Sequence, residues 1–288
     1  MTRDRARQRR MYYDAHNHLQ DEWLAPHLND LVPRLEALPL GGAVVNGTHP
    51  DDWDQVAALA RAYAWVRPSY GLHPWDVGRA TSEWRERLEA RLLAEPQAHI
   101  GEIGIDRWIL DSARPDDPRL AGTIAPPFED QVGAFKWQLT CAARHARVAT
   151  IHCLQAWVAL LDLCETTPRP ARGFLLHAYG GSVALAARFA ELGAYFSFNA
   201  SFLDPRKTRH HAAFQAIRLD RLLVETDAPA MPPPVEFVHH PLPPSPTGER
   251  INSPVNIVGA YAGLAALRGV PEEALREQVA ENFIRLFG

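Results

Sequence analysis

The sequence predicts an α/β fold, a (β/α)8 barrel of the TIM type, on three observations. Eight short apolar runs recur along the chain, at 12–15, 42–46, 66–71, 98–103, 148–151, 173–176, 194–198 and 222–225, each of strand length. Amphipathic stretches such as DDWDQVAALARAYA, TSEWRERLEARLLAE and FEDQVGAFKWQLTCAARHA lie between them, and that alternation builds a parallel sheet. No Gly-x-Gly-x-x-Gly follows the first run, and eight repeats exceed the roughly six strands of a doubly wound sheet, so closure into a barrel is favoured.

Composition is consistent with one large domain. The chain has 288 residues, 47% hydrophobic and 22% charged, enough to bury a substantial core. The expected division is a basic tail at 1–10, MTRDRARQRR, followed by one barrel domain at 11–288. A formal net charge of −4 argues against an extended basic surface that grips long nucleic acid, because neutralising many phosphates needs clustered Lys and Arg. Lys136 and Lys207 are the only lysines, and Cys141, Cys153 and Cys164 form no C-x-x-C pair. Lone cysteines of this kind suit a reducing compartment. With no apolar run approaching about 18 residues, a cytoplasmic protein with no membrane partner is expected.

Taken in order, the runs place polar residues at their carboxyl ends. The first ends in YYDAHNHL; side chains alternate along a strand, so His16 and His18 project together while Asn17 points away. The third leads into GLHP with His73, and the fourth carries Glu102. A proline-rich segment at 107–127, opening on Arg107, follows the fourth run and another at 229–254 follows the eighth. Both are too long for ordinary connections and read as active-site loops. His152 follows the fifth run, His177 the sixth and Asp227 the eighth. The pairs His210, His211 and His239, His240 fall outside this pattern and read as surface residues.

In a (β/α)8 barrel the carboxyl ends of the strands converge on one mouth, so His16, His18, Glu102, His152, His177 and Asp227 become neighbours. Four imidazoles and two carboxylates suit Zn²⁺, Mn²⁺ or, with more oxygen and water, Mg²⁺, and are enough for two divalent ions. Two ions need a bridging group. Lys136 falls within a helical pattern and Lys207 in a loop or helix start, which leaves Glu102 as the bridging candidate on a central strand.

These residues lie in a series of motifs: DAHNHL at 14–19, GLHPW at 71–75, IGEIGID at 100–106, TIHC at 150–153, GFLLHAYGGS at 173–182, YFSFN at 195–199, LLVETDAPAM at 222–231 and ENFIRLF at 281–287. In order and spacing the chain resembles the TatD-like metal-dependent deoxyribonucleases of the amidohydrolase superfamily. The resemblance implies that His16, His18 and Asp227 hold one ion and His152 and His177 the other, with Glu102 bridging. It also implies hydrolysis of a phosphodiester, in DNA or a small substrate. Asp227 is then the natural proton acceptor for the attacking water, and His73 and Arg107 are candidate substrate contacts. The chain departs from the family beside the ligands. Leu154 stands where the family commonly has arginine, Ala178 to Gly181 replace its Cys-Phe-Ser-Gly, and Arg107 and Trp108 its aromatic pair; Asn252, Ser253 and Pro254 replace its Asn-Glu-Pro. Leucine cannot fork onto a phosphate as arginine does. Three readings therefore stand: a nuclease or other phosphodiesterase, a hydrolase of a small amide or lactone, and a metal-binding protein with little turnover.

Overall fold

The computed structural model describes residues 11–114, 117, 120 and 122–288, so the basic head at 1–10 and part of the 107–127 segment lie outside the described residues. Eight strands form one parallel sheet in sequential order: β1 (Tyr12–Asn17), β2 (Leu40–Asn46), β3 (Val66–Tyr70), β4 (His99–Asp106), β5 (Ala149–Leu154), β6 (Phe174–Leu176), β7 (Ala194–Asn199) and β8 (Leu222–Glu225). Helices alternate with the strands. They are α1 (Leu28–Ala37), α2 (Trp53–Ala62), α3 (Trp84–Ala94), the short α4 (Trp108–Asp111), α5 (Phe128–Arg144), α6 (Trp157–Thr166), α7 (Val183–Glu191) and α8 (Thr208–Ala216), with α9 (Ile257–Arg268) and α10 (Glu272–Phe287) completing the fold. The (β/α)8 expectation holds.

Closure is made where the first strand meets the segment after the last. Asp227 N donates to His16 O at 2.9 Å and His18 N to Ala228 O at 2.8 Å. Buried Asp14 ties the same seam, its carboxylate accepting from Thr226 N and Thr226 Oγ1 at 3.0 and 2.6 Å, and from Asn17 Nδ2 at 3.1 Å. Behind the seam, Tyr261 of α9 accepts from Tyr13 N and donates to Tyr13 O, each at 3.0 Å, while Phe283 of α10 packs on the Tyr13 ring at 4.6 Å. Burial of each such aromatic contributes on the order of 1.5–3 kcal/mol.

The strands read as apolar runs because both faces are covered: β4 is buried along all its length. Its end is held by α5, whose Gln131 and Gln138 are buried among apolar neighbours. Gln131 Oε1 accepts from Asp106 N at 2.8 Å, and Gln138 accepts from Leu72 N at 2.8 Å and donates to Leu72 O at 3.1 Å. Glutamine at these two helix positions replaces the ladder bonds that β3 and β4 lose beyond their paired region.

Candidate metal centre

Strand geometry brings the six predicted donors together. His16 and His18, two apart on β1 and its continuation, turn their Nε2 atoms to within 3.1 Å of each other, and Asn17 turns away to Asp14, as the alternation requires. Asp227 Oδ1 lies 3.5 Å from His16 Nε2 and 3.6 Å from His18 Nε2. On the other side, His152 Nδ1 and His177 Nε2 are 3.3 Å apart. Glu102 stands between the two sets. Its Oε2 is 3.3 Å from His16 Nε2 and 3.2 Å from His18 Nε2, whereas its Oε1 is 3.1 Å from His152 Nδ1 and 2.8 Å from His177 Nε2.

Two positions differ from the sequence expectation. β4 runs on to Asp106, so Glu102 lies within the strand rather than at its end, and His152 lies inside β5 rather than after it. Their side chains still meet because β4 and β5 are irregular between Ile100 and Ile103, after which Gly104 pairs with His152. A Cβ at Gly104 would come within 2.0 Å of His152 O, so this close approach requires glycine.

The donor set fits divalent ions. Ligand bonds of about 2.1 Å put neighbouring donor atoms roughly 3.0–3.4 Å apart in octahedral or tetrahedral geometry, the spacing seen here. Two of the four imidazoles also have their second nitrogen set by the protein, as metal-binding histidines do. His18 Nδ1 faces Asn46 O at 2.8 Å and His152 Nε2 faces Asp106 Oδ2 at 2.8 Å. In each case a ring N–H donates outward and a lone pair points to the centre. Asn46 Nδ2 lies 3.2 Å from His16 Nδ1 and donates to Val44 O at 3.3 Å. His177 Nδ1 faces buried Glu225 at 3.7 Å.

Electrostatics mark the centre as a place for positive charge. Burial alone would raise the Glu102 carboxyl, but the charges of His177, His73 and His16 and the hydrogen bond from His152 hold it well below its ordinary range. Against the same burial, Asp106 and Glu102 push His152 up to about 9, and the carboxylates raise His18 and His177 as well. His16 goes the other way, burial and His177 lowering it to about 4.

The other candidates lie nearby. His73 Nδ1 accepts from Trp75 N at 3.2 Å, so Nε2 carries the proton and points at Glu102 Oε1, 3.5 Å away. Arg107 pairs with Asp111 at 3.3 Å and lines a cavity of about 960 Å³ that opens over His152 and His177. His210 lines the same cavity, stacked on Phe202 at 4.3 Å, whereas the sequence placed it with the surface residues; α8 begins at the mouth and carries it inward. Asp106, Asn46 and Glu225 were missed. Asp106 had a signal, since positions 102, 104 and 106 share one face of an extended fourth strand; Asn46 and Glu225 sit among apolar strand residues and had none.

A model of the TatD related DNase family matches residues 13–288. The 3'-5' ssDNA/RNA exonuclease TatD of Klebsiella pneumoniae (strain 342) is 28% identical over 262 residues, 90% of this chain and 91% of that protein. The uncharacterized metal-dependent hydrolase TatD of Mycobacterium tuberculosis (strain ATCC 25618 / H37Rv) is 30% identical over 226 residues, 76% and 80% of the two chains. Among solved structures, YjjV from Escherichia coli K12 superposes with a TM-score of 0.81 at 24% identity, covering 96% of this chain and 98% of its own. The motifs, the barrel and the match along its length agree: this chain belongs to the TatD related DNase family of metal-dependent hydrolases.

Proposed function

We propose that the protein binds two divalent ions, Zn²⁺, Mn²⁺ or Mg²⁺, and hydrolyses phosphodiester bonds of nucleic acid strands. The observation that carries this reading is the division of Glu102, one carboxylate oxygen toward His16 and His18 and the other toward His152 and His177. A single ion would leave one of those sets unused. Ions held there would lower the pKa of a water from about 15.7 to roughly 7 and offset charge growing on the attacked phosphate.

The chain's residues then divide the work. His16, His18 and Asp227 hold one ion, His152 and His177 the other, and Glu102 both. Asp227, with Oδ1 3.5 Å from His16 Nε2 and 3.6 Å from His18 Nε2, takes the proton of the attacking water. Burial alone would raise its carboxyl, but the hydrogen bond from His18 and the charges of His177 and His16 hold it below the ordinary range, so it enters the reaction ionised. His73 stands beside the second ion's ligands, its Nε2 3.5 Å from Glu102 Oε1, and Arg107 stands on the rim where a phosphate oxygen would arrive.

Cations in the cavity lining, Arg107, Lys207 and Arg209, favour a phosphate substrate over a neutral amide or lactone. The relative named as a 3'-5' ssDNA/RNA exonuclease supports a strand rather than a small diester. Buried free cysteines support a reducing, cytoplasmic setting, and no described helix is long and apolar enough to cross a membrane. The test is a hydrolysis screen of the metal-loaded protein on single-stranded DNA and RNA, bis-p-nitrophenyl phosphate, lactones and amides. Turnover of phosphodiesters is expected; turnover of lactones or amides alone would replace this reading.

A further inference from the structure

The cavity beside the metal centre has two unlike walls, one on each side of the end of β6. From β5 and α6 come Leu154, Trp157 and Val158, with Leu154 38% and Val158 65% exposed. From the N-cap and first turn of α8 come Lys207 and Arg209. Lys207 lies over the Phe202 ring at 5.3 Å with its Nζ 3.4 Å from Ser201 Oγ. Arg209 donates to Gly180 O at 2.8 Å, a neutral acceptor. Asp204, the nearby carboxylate, is taken by Arg206 at 2.6 Å. Neither Lys207 nor Arg209 makes an ion pair among the described residues, and Asp162 is the one carboxylate among the described residues lining the cavity. Between the two walls lies His210, whose buried Nδ1 has no partner among the described residues.

Unneutralised cations on one wall and exposed apolar side chains on the other match the two sides of a single strand, whose phosphates seek charge and whose bases seek flat apolar contact. Resting on the phosphodiesterase reading, we propose that Lys207 and Arg209 hold the phosphate next to the scissile one, while Leu154, Trp157 and Val158 carry the adjoining base. The strand then crosses the mouth with its backbone along the start of α8 and its base along the start of α6. The wall on α8 supplies the cationic grip that Leu154 cannot give from β5.

The test compares the wild type with Lys207→Gln/Arg209→Gln. Anisotropy of a short fluorescein-labelled single-stranded oligodeoxynucleotide with phosphorothioate linkages that resist cleavage, added to the metal-loaded proteins, reads binding; hydrolysis of bis-p-nitrophenyl phosphate by the same proteins reads the centre itself. Losing the cations on this one phosphate should weaken strand binding about tenfold and flatten the slope of log affinity against log salt by about 0.7, while hydrolysis of the small diester, which has no adjoining phosphate, falls by much less than strand binding. Lys207→Arg should restore its share, and Arg209→Gln, at an exposed position, gives the half effect should the double variant fold poorly. Unchanged oligonucleotide affinity or salt slope would overturn the proposal, as would a wild type that binds no strand. A wild type that binds the strand through these residues yet cleaves no phosphodiester would leave this wall standing and sink the phosphodiesterase reading instead.

Discussion

Replacing Glu102 by Gln keeps the side chain's shape but turns one of its two oxygens into an NH₂ group, which has no lone pair for a cation. One of the two imidazole sets then loses its shared acceptor. Occupancy should fall toward one ion per chain or fewer, read by elemental analysis of the purified variant, and full loading would argue against a bridging carboxylate. Asp227 separates ligand from catalyst. It has φ of 54°, in the left-handed region that Asn tolerates as well as Asp, so Asp227→Asn keeps the backbone and one coordinating oxygen while losing basicity. Turnover at saturating metal should drop about 10²-fold or more; near-normal turnover would reduce Asp227 to a turn residue. That these six side chains meet was legible in the sequence because strand periodicity fixes which residues share a face and barrel topology fixes which ends meet. Lys207, Arg209 and His210 were not read as part of the site, because no periodicity relates a loop and a helix start to the mouth.

At the scale of elements, the pairing of β4 with β5 sets the distance across the centre. Gly104 is opposite His152, with no room for a methyl group against His152 O. Gly104→Ala should force the strands apart between Glu102 and Asp106, destabilising the fold by about 3 kcal/mol or more and lowering metal content together with it. A variant with wild-type melting temperature and full metal would show that the two strands are not held this closely in solution. Sequence patterns gave the existence of both strands but ended β4 three residues early, because a buried strand containing Gly101, Glu102, Gly104 and Asp106 lacks the unbroken apolar run by which such strands are found.

Considered as a whole, the barrel has opposite electrostatic demands at its two ends. The mouth buries charged side chains, whereas the floor buries an uncharged imidazole. His99, at the start of β4, is buried against Phe287 at 5.2 Å, and neither ring nitrogen makes a hydrogen bond among the described residues. Burial, with Arg147 and Arg172 adding to it, pushes its pKa down to about 4. A depressed pKa means that the unfolded chain takes up the proton first: stability is full above about 6.5 and is lost as pH falls through 4. Relative to His99→Leu, wild-type unfolding free energy should therefore fall by roughly 3 kcal/mol between pH 7 and pH 4, measured by denaturant titration at each pH. A pH-independent difference would mean that water reaches the ring. Eightfold repetition made the closed sheet legible from the start, but the hydrogen bonds of closure, Asp14 to Thr226 and His16 to Asp227, join residues that no local pattern connects. That seam also sets a timetable for synthesis. His16 and His18 leave the ribosome before Asp227 and stay without it until more than two hundred further residues have followed. A half-made chain therefore lacks Asp227 from the candidate donor set. A chain truncated after Arg221 should show no hydrolysis of RNA or DNA under conditions in which the full chain is active.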